Sequence, residues 1–394
     1  MASTQIIQVN GRDYPMPTEP VVVVCVDGSE PAYHEQALAA GRMPYLAKLL
    51  ENGTGTALTA DCAMPSLTNP NNLSIATGRP PSVHGISGNY FFDRSRGEEV
   101  MMNEPEFLRA QTIFAAFDAA GAPVAVITAK DKLRRLLSKD LPASSVCFSS
   151  EKLPDAPPVY SAALSERVLS EGVSLLERSR PLITYLTLTD YIQHKYAPGT
   201  EVANNFYAMM DSYWARLDEL GATLVVTADH GMNAKTDAAG VARVVYLQDQ
   251  LDDWFGAGES RTILPITDPY PVHHGALGSF AYIHLSSPSD VPVARERLAA
   301  LLGIEAVLTR DEAVERYELP GDRIGDLAVV ASTNVAVGTT PAGHDLSTLD
   351  RPLRSHGGLS EQRVPFLVNR PLTPLPSGHR LRNFDAYWVA LNHA

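Results

Sequence analysis

A three-layer α/β/α sandwich, built on a mostly parallel sheet and carrying a small α+β insertion, is the fold class this sequence predicts. Three observations lead there. Continuous apolar, β-branched runs such as VVVVCVD (21–27), PVAVITA (123–129), LITYLTLT (182–189) and TLVVTAD (223–229) suit strands covered on both faces. Between them fall stretches of helical spacing, so strand and helix alternate as a parallel sheet requires. After Met232 that rhythm changes.

Taken in order, VVVVCVD is followed by MPYLAKLLENG (43–53), a helix closed by a terminal glycine. A strand over 54–60, a helix near 69–77 and a helix over 111–120 ending at Gly121 come next, then the 123–129 strand. The amphipathic segment 160–178 leads into the 182–189 strand, and 200–219 leads into 223–229. Residues 240–350 hold SFAYIHL, the helical VPVARERLAALLG, an acidic helix near 311–317 and DLAVVAST, which together read as a compact α+β insertion. VPFLVN (364–369) and DAYWVALN (385–392) return to the main domain as its last strand and helix. The expected division is therefore a main domain of 1–239 and 351–394, with 240–350 inserted as a cap.

At 394 residues the chain exceeds one simple core. A net charge of −13 argues against nucleic-acid backbones and anionic membranes as partners. No apolar run approaches the roughly 20 residues that span a bilayer. The opening MASTQIIQVNGRDYP lacks a basic stretch followed by an apolar one, and Cys25, Cys62 and Cys147 show no framework spacing. The expected setting is reducing and cytoplasmic.

Ligands of open parallel sheets gather beyond the carboxyl ends of the strands. Asp27, Asp190 and Asp229 all stand at such ends. His194 lies four residues past Asp190, on the same side if the turn is helical. His230 adjoins Asp229, and His356 sits in SHGG, where glycines allow close backbone approach. Thr68 precedes Asn69-Pro70, near the start of a helix, where free N–H groups attract an anion. Each residue alone could be a capping side chain or a surface histidine; Ser66 and Ser74 are rival hydroxyls. Together they offer hard oxygen and borderline nitrogen ligands for two divalent metals, with a hydroxyl nucleophile between them. TAKDKLRRLL (128–137) adds Lys130 and Lys132 at the same edge. A solvated basic turn is the plain alternative. Charge favours function, because three carboxylates and an alkoxide roughly cancel two divalent cations, leaving an anionic substrate in need of positive partners.

The order Asp27, Thr68 in SLTNPNNLSIATG, HGISGN, Asp190/His194, Asp229-His230 and His356 resembles the alkaline phosphatase superfamily. The branch it resembles holds nucleotide pyrophosphatase/phosphodiesterases and phosphonoacetate hydrolases, and AKDK resembles the latter. This resemblance implies an alkaline phosphatase-like fold and two zinc ions per subunit. Asp190, His194 and His356 would hold one zinc; Asp27, Asp229, His230 and Thr68 the other. It makes Asn89, in GISGN, a donor to a phosphoryl oxygen, and Lys130 and Lys132 binders of the substrate anion, with His194 also at the substrate. The implied reaction is hydrolysis of a small anionic phosphonate, phosphonoacetate, through a phosphothreonine. A homodimer is the candidate assembly.

A phosphodiesterase or nucleotide pyrophosphatase using the same metals is the nearest alternative, with Tyr90, Phe91 and Phe92 as a base slot or as packing under the Asn89 loop. A non-catalytic metal-dependent binding protein is the other. His84 reads as loop support, and His273, His274 and His344 as residues of the cap. His34, His284, His379 and His393 receive no role.

Overall fold

The computed structural model describes residues 5–267, 275–347 and 349–394. Seven strands form the main sheet, in the order Thr56–Asp61, Arg363–Val368, Thr223–Thr227, Val21–Cys25, Ile183–Thr187, Val124–Thr128, Val146–Ser149. The five from Thr223–Thr227 to Val146–Ser149 pair in parallel, and Arg363–Val368 runs antiparallel to both of its neighbours.

Alternation along the central strand explains the three layers. Val21, Val23 and Cys25 point to one face, packing with Phe114, Phe117, Tyr387 and Leu73. Val22, Val24 and Val26 point to the other, packing with Leu169, Leu176, Tyr207 and Trp214. Helices Thr68–Thr77, Ile113–Ala119 and Ala386–Asn392 supply the first layer; Pro31–Ala39, Ala162–Ser179 and Glu201–Glu219 supply the second. Both faces of the strand are thus buried, as its unbroken apolar run requires.

A second, antiparallel sheet has the order Ser260–Ile263, Phe280–Leu285, Leu327–Ala331, Ile304–Thr309. One face carries Ile283 and Val329 against Leu247, Leu251 and Leu298. The other carries Phe280 and Tyr282, in a cluster that includes Met64. The chain leaves the main sheet through Asn233–Ala234 and returns through Arg354–Ser355, two short strands paired side by side. Among the described residues, no helix is long and apolar enough to cross a membrane.

His34 lies buried between the rings of Tyr207 and Trp214, with centroids 4.9 and 5.9 Å away, and neither ring nitrogen has a hydrogen-bond partner. Burial pushes its pKa down from 6.5 to about 4, opposed by the nearby Glu30 carbonyl. Folding is then favoured fully above the unfolded pKa, and that contribution is lost as pH falls through 6.5 towards 4. We expect wild-type protein to lose about 2 kcal/mol more stability than His34→Leu between about pH 7.5 and about pH 5. Urea unfolding at the two pH values measures this; equal losses would remove His34 as the cause.

Candidate active site

The main sheet delivers three carboxylates and a lysine to one edge. Asp27 follows Val21–Cys25, Lys130 follows Val124–Thr128, Asp190 follows Ile183–Thr187 and Asp229 follows Thr223–Thr227. Gly28, at φ +72, turns the chain directly after Asp27; a Cβ there would meet the Asp190 Cβ at 3.2 Å. Its N–H donates to Asp229 Oδ1 at 3.2 Å. Helix Tyr191–Lys195 brings His194 Nε2 to 2.9 Å from Asp190 Oδ2, which realises the four-residue spacing. His356 arrives with the returning chain, and its ring stacks on His230 with centroids 3.5 Å apart.

Thr68 is the first residue of helix Thr68–Thr77, with Leu67 at the cap position. Its Oγ lies 3.3 Å from His230 Nε2. Of the rival hydroxyls, Ser66 donates to the Gly358 carbonyl and Ser74 is buried against His84 Nε2 at 2.9 Å. His84 also accepts from the Ile86 N–H, so it braces the loop.

Each of the three site histidines turns Nδ1 to a main-chain carbonyl: His230 to Gly231 at 2.9 Å, His356 to Ser66 at 2.8 Å and His194 to Arg354 at 2.8 Å. A carbonyl only accepts, so Nδ1 carries a proton and the opposite ring nitrogen, Nε2, is the one left to face the cluster. His230 Nε2 faces Asp27 Oδ1 across 3.2 Å, and that buried oxygen makes no well-formed hydrogen bond. Burial, with Asp190 and Asp229 nearby, pushes the Asp27 carboxyl well above its ordinary range. Burial and the Asp190 carboxylate push Asp229 up to about 7. Burial, His230 and His194 depress His356. Two sets of ligand atoms converge within 4.8 Å: Asp190, His230 and His356, and Asp27, Asp229 and His230. Converging ring nitrogens and crowded carboxylates are what a divalent cation stabilises, and the donor set suits a metal taking oxygen and imidazole ligands. His230 serves both sets, whereas the sequence reading gave it to one.

A small cavity of about 60 Å³ opens over this cluster. Asp27, Thr68, Asn89, Lys130, Lys132, Asp190 and His356 all line it, so seven of the ten residues singled out in sequence share one space; Asp229, His230 and His194 stand buried beside them. Lys130 Nζ is 3.7 Å from Asp190 Oδ1. Asn89 is held by its N–H on Pro265 and its carbonyl on Met102. His344 is engaged by Thr339 and Gly275 inside the second sheet's surroundings, and His273 and His274 lie outside the described residues. Two contributors escaped the sequence reading. Asn72, on the same helix as Thr68, donates to Asp229 Oδ2 at 2.9 Å, and Asn103 lines the cavity. The dense run NPNN beside Thr68, unusual for a helix with every residue after Thr68 buried, was the available signal for the first.

The model of the type I phosphodiesterase / nucleotide pyrophosphatase family matches residues 21–359. The chain belongs to that family. Among solved structures of its relatives, the phosphonoacetate hydrolase of Sinorhizobium meliloti 1021 is 55% identical over 99% of both chains, with TM-scores of 0.95 for its phosphonoformate complex and 0.94 for its phosphonoacetate complex. The family member described here thus groups with phosphonoacetate hydrolases, on an alkaline phosphatase-like fold, as its motifs lead one to expect. Murine ectonucleotide pyrophosphatase / phosphodiesterase 5 shares the fold at TM-score 0.67 and 18% identity, over 95% of this chain and 96% of that one. An uncharacterized pyrophosphatase/phosphodiesterase of Schizosaccharomyces pombe is 25% identical over 55% of this chain and 45% of its own length. The chain thus spans less than half the length of that curated relative.

Proposed function

We propose that this chain hydrolyses the carbon–phosphorus bond of phosphonoacetate to acetate and phosphate, with two zinc ions held by Asp27, Asp190, His194, Asp229, His230 and His356, and Thr68 as nucleophile. The observation that carries the reading is the shared cavity, where two lysines stand with the nucleophile beside the clustered carboxylates. The likeness to the S. meliloti enzyme supports it. The segment 240–350 is proposed as the cap, since Ile266 also lines the cavity.

When bound, the zinc ions would offset the three carboxylates, draw in the phosphonate oxygens and favour the deprotonated hydroxyl. Thr68 Oγ attacks phosphorus, and an O–P bond forms as the P–C bond breaks. The bonding pair stays on carbon and spreads into the adjacent carboxylate as an enediolate. Lys130 and Lys132 hold that developing charge, and Asn89 donates to a phosphoryl oxygen. The carbanion takes a proton from solvent and leaves as acetate. Water then hydrolyses the phosphothreonine, releasing phosphate and restoring Thr68. The cavity has room for a small anion. Tyr90, Phe91 and Phe92, the aromatic slot that a nucleotide reading needs, do not line it: Phe91 packs on Phe107 and Phe92 on His284.

A phosphate-release panel on phosphonoacetate, phosphonopyruvate, 2-aminoethylphosphonate and a nucleotide diester, with and without zinc, tests the proposal. Phosphate from phosphonoacetate alone is expected; release of nucleotide in its place would sink the reading. Zinc added to metal-free protein is also expected to raise Tm, because a ligand present at about 100 times its Kd adds about 2.7 kcal/mol. Scanning fluorimetry reads the shift, and an unmoved midpoint with every divalent metal would count against the site.

A further inference from the structure

One ion pair in the fold is wholly buried and has no part in the chemistry above. Lys235 and Glu361 are both 0% exposed, with Lys235 Nζ 2.8 Å from Glu361 Oε1. Removing two charges from water costs several kcal/mol per ion, and a well-packed apolar pair of similar volume is often as stable or more so. Packing alone therefore does not explain the charges.

Their hydrogen bonds point elsewhere. Glu361 Oε1 also accepts from Asn233 Nδ2 at 2.8 Å and Ser360 Oγ at 2.6 Å, and Oε2 accepts from the Gly358 N–H at 2.9 Å. Its main-chain carbonyl accepts from the Gly231 N–H at 2.7 Å. Gly231 is the residue whose carbonyl orients His230. Gly358 is two residues past His356, and its own carbonyl receives Ser66 Oγ at 2.7 Å. Ser66 in turn supplies the carbonyl that orients His356. An unbroken run of contacts therefore leads from His230 through Gly231, Glu361, Gly358 and Ser66 to His356. Lys235 pins that run from the side: its Nζ also donates to the Thr333 carbonyl at 2.7 Å, just beyond strand Leu327–Ala331, and it sits where the chain leaves the main sheet. A carboxylate accepts several bonds at once, which no apolar residue and no single amide oxygen reproduces.

We propose that Lys235 and Glu361 are a positioning pair, fixing the spacing of His230 and His356 and through it the affinity of the site for divalent metal. The inference rests on the metal-ligand reading of those histidines. Outer partners of metal ligands typically carry about 10- to 100-fold in metal affinity, and that is the expected loss for Glu361→Gln. Breaking a buried pair on one side also destabilises the fold, so the double variant Lys235→Met/Glu361→Leu separates the two effects.

The experiment uses full-length wild type, Glu361→Gln and the double variant. Zinc Kd is measured by competition with a chromophoric chelator, Tm on the metal-free proteins, and the visible spectrum on cobalt(II)-substituted ones. The double variant, in which Asn233 and Gly358 lose their acceptor and the metal-free Tm therefore falls somewhat, is expected to bind zinc at least about 10-fold more weakly than that loss of stability accounts for, with an altered cobalt spectrum. Wild-type zinc affinity and cobalt spectrum in the double variant would overturn the proposal. Zinc affinity that falls only in step with the metal-free Tm would overturn it too, by reducing the pair to a stability element. A wild-type protein that takes up neither metal refutes the underlying metal reading, a result visible before any variant is made.

Discussion

Thr68→Ala protein is expected to keep its metal and fold yet release phosphate from phosphonoacetate at least about 10³-fold more slowly than wild type. The size of the loss follows from the geometry. Thr68 presents a hydroxyl to the cavity, 3.3 Å from His230 Nε2, while Ser66, Ser74 and the cavity-lining Thr187 are engaged elsewhere, so among the described residues none of these hydroxyls stands ready to replace it. Retention of fold follows from position. Residue 68 opens helix Thr68–Thr77, its side chain caps no N–H, and alanine has a higher helix propensity than threonine. Six side chains other than Thr68 supply the proposed metal ligands, so zinc per chain, read by elemental analysis, should change little. A variant within tenfold of wild type would remove Thr68 as nucleophile; one that loses its zinc would make it chiefly a ligand.

Alanine at Lys130 or Lys132 should cut kcat/KM for phosphonoacetate by about 10- to 100-fold, the worth of about 1.5–3 kcal/mol for a hydrogen bond to a charged group. Hydrolysis of an aryl phosphate ester, whose leaving oxygen needs no carbon-centred charge held, should fall by a clearly smaller factor. Both lysines reach the cavity from the start of helix Asp131–Leu137: Lys130 occupies its cap position and Lys132 lies in its first turn. Lys130 Nζ also faces Asp190 at 3.7 Å, so its replacement is expected to be the more damaging of the two on both substrates. Steady-state kinetics on the pair of substrates decides the matter. Equal proportional losses on both would leave the lysines as general electrostatic support and would detach them from the carbanion.

The central strands were legible because burial on both faces leaves one solution, an unbroken run such as Val21 to Val26. The site residues were legible for the converse reason: a carboxylate directly after such a run is conspicuous. Elements that bury little gave no such mark. Strand Val146–Ser149 is a short edge with three of its four residues only half-buried, and helix Pro31–Ala39 buries only Tyr33, His34 and Ala37. Helix Asp131–Leu137 hides Leu133, Leu136 and Leu137 beneath four charged residues and reads as a basic turn. The supporting contacts were out of reach for another reason. Asn72 meets Asp229 across 157 positions, and Glu361 meets Lys235 across 126, so each role exists only once the chain has closed.

The three site histidines take their orientation from peptide carbonyls, at Gly231, Ser66 and Arg354, and not from side chains. Every amino acid carries that same carbonyl. Point mutation can delete a carboxylate that steers an imidazole, but it cannot delete a peptide oxygen. Substitution at positions 66 and 354 therefore leaves the acceptor in place wherever the backbone path survives. The aim of the imidazoles is inherited with the fold, which leaves the cavity wall free to diverge while the centre stays true.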